Sequence, residues 1–419
     1  MPDANKGQAV TNMKKRKTGI GRPPAWLWYP VRLILSFWYR VRYGARFFRD
    51  FRGPVRGPAL VLAPHTAVQD PFLIAIALFP NRPNYVVSAH LLARRKTRTL
   101  LRLLHVIPKT MFSADPRTVL GIRRALSSGN TVVLFPEGRL PCFGHSLPLA
   151  AGTAELVQRM GVDVYTVTNN GAYLTFPKWA KKARRGRIDV RTSRLFRAEE
   201  LAALSPKEVE SRLEAALFHD DEAAMQGVTY KCRDMTRGVD GILYRCPACL
   251  RELTLSAGDG HIRCTCGLDA VLSGDYRLMG VGFRTLGGWY RWQEEVLDTS
   301  IPLVSRVSVG TPDERGIMRE GVGEGVATLN RLAFSFEGRV NGEPISFRVP
   351  VEKIGGFPIT VSRFFDIHDK NRLYYMTPLP DPRITVKWVS YLDKVHAQSA
   401  KTADGAFSND KMAENGQSL

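Results

Sequence analysis

The stretch "LVLAPHTAVQDPF", residues 60–72, joins an apolar run to a short polar loop and a second apolar segment. The apolar run at 59–63 predicts a buried strand. Asp70 and Pro71 predict the start of a helix, because Asp favours the N-cap and Pro favours the first turn. His65 then lies in the loop at the carboxyl end of the strand, where open α/β sheets bind their ligands. The stretch predicts a strand–loop–helix unit with ionisable side chains at a binding edge.

Around this unit, short apolar runs alternate with amphipathic segments. This alternation predicts an α/β domain with a mostly parallel sheet flanked by helices, followed by a cysteine-rich module and a small all-β domain. The predicted strands are 59–63, 84–89, 131–135, 163–168 and 187–192, and the predicted helices are 71–79, 91–104, 116–128, 148–160 and 206–218. The predicted units are a disordered basic tail (1–22), an amphipathic helix (23–53), the α/β domain (54–220), a zinc ribbon (243–275), the β domain (301–397) and a disordered tail (398–419).

Positive charge dominates the chain. Sixty Lys and Arg residues against 39 Asp and Glu residues give a net charge of +21. Such a protein favours polyanionic partners, namely nucleic acid, anionic lipid or phosphorylated substrates. No stretch reaches 18 uncharged apolar residues, so the sequence predicts no spanning helix.

The segment 23–53 combines bulky apolar residues with arginines. On a helical wheel the apolar residues share one arc, and the arginines lie on the opposite arc: Ile34, Phe37, Trp38, Val41, Ala45 and Phe48 against Arg32, Arg40 and Arg46. This pattern favours a helix that lies in a membrane interface, with its arginines on anionic headgroups. The alternative is a surface helix that packs on its own domain.

His65 and Asp70 allow two interpretations. Residues five apart do not face each other on one helix, so a bend between them is required for contact, and the predicted loop supplies it. The pair would then be a general base and the carboxylate that fixes its tautomer. The spacing is common by chance, and a loop histidine next to a helix cap fits it equally well.

A second stretch, "VVLFPEGRL" at 132–140, also places polar residues after a predicted strand. Parallel strands bring their carboxyl ends to one edge, so we expect Glu137, Gly138 and Arg139 to face His65. Glycine permits close backbone approach, and an arginine can hold a phosphate with two hydrogen bonds.

Together these two stretches resemble the conserved blocks of the glycerolipid acyltransferases, typified by 1-acyl-sn-glycerol-3-phosphate acyltransferase. The family blocks are N-H-x4-D and F-P-E-G, and both occur here in order within about residues 50–200. The resemblance implies phospholipid biosynthesis, with a fatty acyl group moving from acyl-CoA or acyl carrier protein to a glycerophospholipid precursor. It implies that His65 is the general base and that Asp70 orients it.

The resemblance also implies that Glu137, Gly138 and Arg139 shape the acceptor or phosphate site, and that Lys109 in "HVIPK" provides a second phosphate contact. Departures from the family pattern leave the acceptor open. Pro64 replaces the usual Asn, Leu140 follows Arg139 where Thr-Arg is common after the glycine, and the presumed Lys109 replaces an arginine. The proposed fourth block, "DVYTVTNNG" at 163–171, lacks its proline.

Four of the six cysteines lie within 21 residues. Clustered cysteines favour a metal site in a reducing compartment over a disulfide framework. The pairs "CPAC" and "CTC" predict a zinc ribbon with a closed, structural Zn²⁺ site, and the spacing leaves His261 open as a substitute ligand. The predicted ligands are Cys246, Cys249, Cys264 and Cys266.

Three functions remain open at this stage. The first is a membrane-associated acyltransferase, peripheral or monotopic on the cytoplasmic face of the cell membrane, whose partners are the lipid surface, a lysophospholipid and an acyl carrier protein. The second is a zinc-ribbon protein that binds nucleic acid. Basic residues concentrate around the α/β domain, including "KWAKKARRGR" at 178–187, and not on the ribbon, so we expect no nucleic-acid partner. The third is an acyl-thioester hydrolase.

Overall fold

The computed structural model describes residues 20–93, 95–110, 115–314, 316–370 and 372–399. The tails predicted at 1–22 and 398–419 lie almost entirely outside these ranges. The described part of the chain contains one mostly parallel sheet with its helices, followed by two antiparallel sheets. The predicted fold class is confirmed.

The first sheet has seven strands. They are β1 Arg46–Arg49, β2 Ala59–Leu62, β3 Asn84–Ser88, β4 Ile107–Lys109, β5 Thr131–Leu134, β6 Asp163–Asn170 and β7 Asp189–Phe196. Their order across the sheet is β1-β7-β6-β2-β5-β3-β4. Neighbours from β6 to β4 are parallel, whereas β7 is antiparallel to β6 and parallel to β1. Strands β2, β5 and β3 therefore end at one edge.

Helices cover both faces of this sheet. They are α1 Ala25–Tyr43, α2 Asp70–Ala77, α3 Ala89–Ala93, α4 Arg95–Leu103, α5 Pro116–Ser127, α6 Thr153–Met160, α7 Ala172–Thr175, α8 Ala198–Ala203, α9 Pro206–Leu217 and α10 Asp221–Ala224. Apolar residues of α1 and α2 pack on one face, and those of α5, α6 and α9 pack on the other. Burial on both sides explains why β2 and β5 are apolar almost throughout and do not alternate.

The amphipathic helix is shorter than predicted. α1 ends at Tyr43 because Gly44 adopts the left-handed conformation, with a φ of 55°. The next residues form β1, where the Arg46 guanidinium donates two hydrogen bonds of 2.7 Å to the Asp189 carboxylate on β7. The helical wheel treated residues 23–53 as one helix that continues past Gly44, so its placement of Ala45 and Phe48 on the helix was wrong.

The carboxyl-terminal half contains two antiparallel sheets. The smaller one consists of β8 Leu255–Gly258, β9 His261–Cys264, β10 Asp269–Leu272 and β11 Leu278–Met279. Helix α11, Leu286–Glu295, leads to the larger one, which consists of β12 Leu303–Pro312, β13 Met318–Leu329, β14 Ala333–Val340, β15 Glu343–Pro350, β16 Ile359–Thr360, β17 Phe364–Asp369 and β18 Arg372–Pro378. A final helix, α12, covers 385–399.

One continuous apolar core joins the two halves of the chain. It contains Phe143 and Trp179 from the first domain, Tyr244 beside the cysteine module and Trp388 on α12. Residues 219–242, which lie between the predicted α/β domain and the predicted zinc ribbon, also contribute buried side chains to this core. The carboxyl-terminal units are thus packed against the α/β domain over a broad surface.

Candidate active site

His65 lies just beyond β2, with its imidazole against the carboxylate of Asp70. Nδ1 of His65 is 3.1 Å from Oδ2 of Asp70. The histidine side chain is 21% exposed and the aspartate side chain is 0% exposed. The buried Asp70 carboxylate thus contacts one nitrogen of the imidazole, while part of the ring stays exposed and accessible to a substrate.

Asp70 is the first residue of α2, but its side chain turns back toward the loop and does not cap that helix. Its Oδ2 accepts a hydrogen bond from the Ala67 amide at 2.8 Å, and its Oδ1 accepts one from Nδ2 of Asn169 at 3.0 Å. An ionised carboxylate only accepts, so Nδ1 of His65 is the donor in this pair and Nε2 is left as an acceptor. This is the tautomer a general base needs for an incoming hydroxyl.

The second loop meets the first at the sheet edge. The Phe135 ring, just beyond β5, stacks on the His65 imidazole with centroids 4.1 Å apart and planes inclined by 23°. Strands β2 and β5 are parallel neighbours, so their carboxyl ends place these two residues side by side. The imidazole is fixed by a carboxylate at its edge and by an aromatic ring on its face.

Glu137 braces the two loops. Its Oε1 accepts the His65 backbone N–H at 3.2 Å, and its Oε2 accepts the Leu147 N–H at 3.0 Å. Burial raises the pKa of Glu137 to about 7, although these two amide donors oppose the shift. Gly138 follows with a φ of 75°, a conformation that favours glycine. In this structure the Glu137 side chain connects the backbone of the His65 loop to that of Leu147.

Arg139 lies beside the same loop but points toward α12. Its Nη2 is 2.5 Å from both carboxylate oxygens of Asp393, and its side chain is only 7% exposed. Burial alone would lower the pKa of Arg139, but the Asp393 carboxylate raises it, so the guanidinium stays charged. Asp393 therefore already occupies Nη2 of this guanidinium. The phosphate-binding role of Arg139 remains a prediction.

Lys109 ends β4 at the edge of the sheet. Strands β5 and β3 separate β4 from β2. Three strand spacings place its backbone about 14 Å from that of β2. Lys109 therefore lies on the predicted rim but well to one side of His65, and its phosphate contact also remains a prediction.

Sequence reasoning missed two residues of this region. Asn169 lies in the proposed fourth block, near the end of β6. The signal that could have found it is a polar residue at the end of a largely buried strand. Asp393 is 254 residues from its partner Arg139. No local pattern could have indicated that pairing.

The basic segment 178–187 is only partly exposed at the surface. The Arg184 guanidinium is buried, lies 4.6 Å from the Trp179 ring and donates to the Met235 carbonyl at 2.9 Å. Its sequence neighbours Lys181 and Lys182 are more open to solvent. Arg184 is packed in the interior between the two halves of the chain and does not contribute to an exposed basic surface.

The four clustered cysteines converge as a metal site requires. Their Sγ atoms all lie within 4.8 Å of one another. The Cys246–Cys266 and Cys249–Cys264 sulfur pairs are each 3.8 Å apart. Tetrahedral zinc, with Zn–S distances of about 2.3 Å, holds its sulfurs roughly 3.8 Å apart. The four thiols can hold a metal ion.

His261 is not part of this cluster. Its Nδ1 lies 2.7 Å from Oδ1 of Asp269 on the neighbouring strand, so the open possibility of a substitute ligand is settled against it. The other two cysteines, Cys142 and Cys232, also lie outside the cluster. Four thiolates with no position left for water make a closed site, which is typical of structural metal.

α1 presents an unusually apolar outer surface. Trp26, Ile34, Phe37 and Trp38 are 71%, 68%, 70% and 53% exposed. The opposite side of the helix packs on α2 and the sheet, through Tyr39 among others. Among the described residues, no helix combines the length and apolarity needed to cross a bilayer.

The first domain is similar to known proteins. Residues 46–169 match the family model named Acyltransferase. The crystal structure of the 1-acyl-sn-glycerophosphate acyltransferase PlsC from Thermotoga maritima is similar at 15% sequence identity, with a TM-score of 0.39, and the match covers 48% of this chain and 78% of that one. The family match includes His65, Asp70 and the FPEG loop. Residues 46–169 are therefore similar to the acyltransferase family.

Proposed function

We propose that this protein is a membrane-associated O-acyltransferase that moves a fatty acyl group from acyl-CoA or acyl carrier protein to a glycerophospholipid precursor such as 1-acyl-sn-glycerol-3-phosphate. The observation that carries the proposal is the contact between His65 and the buried Asp70 at the sheet edge of an acyltransferase-family domain. A carboxylate-oriented imidazole with a free Nε2 suits proton abstraction from an alcohol.

The proposed reaction needs one base. Nε2 of His65 takes the proton from the acceptor hydroxyl as its oxygen attacks the thioester carbonyl. Asp70 stabilises the imidazolium that forms, as the carboxylate does in hydrolase triads. Collapse of the tetrahedral intermediate breaks the carbon–sulfur bond, and the imidazolium returns its proton to the departing thiolate. The products are an ester and a free thiol, and the enzyme regains its starting state.

The acceptor class follows from charge and resemblance. A net charge of +21 favours anionic substrates and anionic lipid surfaces. We assign the acceptor phosphate to the rim that includes Arg139 and Lys109. Asp393 pairs with Nη2 of Arg139, so an acceptor phosphate at this rim would compete with that carboxylate for this nitrogen.

The experiment that tests this function is an acceptor panel. Thiol release from palmitoyl-CoA is measured with lysophosphatidate, lysophosphatidylethanolamine, lysophosphatidylcholine or no acceptor. Release that depends on a lysolipid supports the proposal. Equal release without any acceptor would identify a thioesterase. No release, together with salt-sensitive binding of oligonucleotides, would favour the nucleic-acid alternative.

The outer surface of α1 supports membrane association. Its exposed tryptophans and phenylalanine suit the boundary between headgroups and acyl chains. Arginines lie at its flanks, with the Arg32 guanidinium 4.0 Å from the Phe79 ring and that of Arg40 5.2 Å from the Phe47 ring. We propose that α1 lies in the cytoplasmic interface of the cell membrane, with its arginines near anionic headgroups.

Substitution of Phe37 by Ser should weaken vesicle binding. Burial of one aromatic side chain contributes about 2 kcal/mol, so binding to phosphatidylglycerol-containing vesicles should fall at least about tenfold. Cosedimentation measures the partition coefficient. The matched control is Phe218→Ser, because Phe218 is 74% exposed and follows α9 on the opposite face of the sheet. Equal losses in the two variants would argue against α1 as the binding surface.

We propose that the cysteine cluster holds a structural Zn²⁺. Purified protein should contain one zinc per chain by elemental analysis, and Cys246→Ser should lose it, since a tetrahedral site tolerates no missing thiolate. Cys232→Ser, which alters a cysteine outside the cluster, should keep the metal. Retention of a full equivalent by the Cys246 variant would contradict the assignment.

A further inference from the structure

The buried carboxylate beside His65 has a third partner that the proposed chemistry has not yet used. Asn169 is 2% exposed, and its Nδ2 donates to Oδ1 of Asp70 at 3.0 Å. The two residues are 99 positions apart in sequence. Asp70 therefore depends on a residue contributed by a different strand.

The geometry of β6 explains how Asn169 reaches the site. Strand β6 pairs with β2 only as far as Thr166 opposite Leu62, and then continues to Asn170. Alternate residues share one face, so Asn169 lies on the same side as Tyr165 and Val167, which belong to the cluster under α1 and α2. α2 begins at Asp70. The part of β6 that extends past β2 thus places the Asn169 amide beside the Asp70 carboxylate.

The two carboxylate oxygens of Asp70 have different hydrogen-bond partners. Oδ2 receives the Ala67 amide and the His65 ring, whereas Asn169 is the partner that the described part of the structure gives to Oδ1. Without that donor, the buried oxygen would have no compensation for its lost hydration, and the side chain could rotate away from the ring. The amide therefore holds the rotamer of Asp70.

We propose that Asn169 is a positioning residue for acyl transfer, which acts through Asp70 to keep His65 in its Nδ1–H tautomer. The inference rests on the proposed role of His65 as base. A free imidazole favours the other tautomer, so the preference for Nδ1–H must be imposed by Asp70 in the orientation that Asn169 holds.

Two substitutions separate this role from general support of the fold. Asn169→Ala should lower kcat/KM about 10- to 100-fold, the loss expected for one hydrogen bond to a buried charged group. Asn169→Asp supplies a donor only while the introduced carboxyl group is protonated. Its activity relative to wild type should fall as pH rises, and that of the alanine variant should be low without this trend. Asn170→Ala, on the other face of the strand, is the matched control.

A readout independent of catalysis completes the test. In protein with ¹⁵N-labelled histidine, the ring nitrogens of His65 in alkaline buffer should show the Nδ1–H tautomer in wild type and in Asn170→Ala, and a mixture of tautomers in Asn169→Ala. If the alanine variant folds poorly, the aspartate variant gives the same comparison across pH. An unchanged tautomer in both Asn169 variants would overturn the inference, even if activity fell. Absence of acyl transfer by wild type would refute the proposed function and leave the tautomer result decisive for Asn169.

Discussion

Replacement of His65 by Ala is expected to lower turnover by about 10²- to 10⁴-fold, the contribution of a positioned general base. The substitution removes the partly exposed imidazole whose Nδ1 contacts the buried Asp70 carboxylate. Thiol release from palmitoyl-CoA with a saturating lysolipid measures the effect. Vesicle binding should be unchanged, because α1 is untouched.

His90→Ala provides a comparison for this variant. His90 lies on α3, contacts Tyr375 and is no part of the dyad. It should retain turnover close to wild type. A His65 variant that works at nearly the wild-type rate would refute the assignment of the base, whatever the acceptor proves to be.

Substitution of Asp70 by Asn is expected to have the second large effect. The side chain keeps its shape, and Asn169 can turn its amide to accept from the new donor, so the fold should persist. The charge that stabilises the imidazolium in the transition state is lost, and kcat should fall at least about 100-fold. KM for the lysolipid should change little, since Asp70 is fully buried and does not reach the acceptor.

The control for this variant is Asp189→Asn. Asp189 also forms an ion pair, with Arg46 at the far edge of the sheet, and its side chain is 18% exposed. Loss of that pair should leave kcat unchanged. If Asp70→Asn retained full kcat, the carboxylate would be a structural anchor for the loop and no part of the proton transfer.

The sequence predicted the site because local patterns define it. His65 lies at a sheet edge because it follows an apolar strand and precedes a helix that begins with Asp70 and Pro71. A second strand brings the Phe135–Gly138 loop to the same edge. Both depend on periodicity and on turn residues, which act over short distances. The convergence of the four cysteines was equally predictable, because the spacing of paired cysteines indicates a candidate metal site.

Contacts between distant segments could not be predicted in this way. Asn169 reaches Asp70 only because β6 extends past β2, and Asp393 reaches Arg139 only because α12 packs on the first domain. The break between α1 and β1 was missed for a related reason. Gly44 permits the helix to end, but pairing of Arg46 with Asp189 on β7 decides that a strand follows.

The Arg139–Asp393 ion pair connects the carboxyl-terminal half of the chain to the first domain. α12 contributes a carboxylate to an arginine of the FPEG loop, and the same helix contributes Trp388 to the shared core. The cysteine-rich and β units are therefore packed close to the candidate active site. Their presence next to the proposed phosphate-binding rim provides a physical route by which they could influence acceptor choice.

The most direct test of the central claim is product analysis with wild type and His65→Ala side by side. Each is incubated with palmitoyl-CoA and a lysophospholipid, and the lipids are identified by mass spectrometry. The account predicts a diacyl phospholipid, formed in step with free CoA by wild type and reduced at least about 100-fold in the variant. Free palmitate with no diacyl product, or equal product from both proteins, would contradict it.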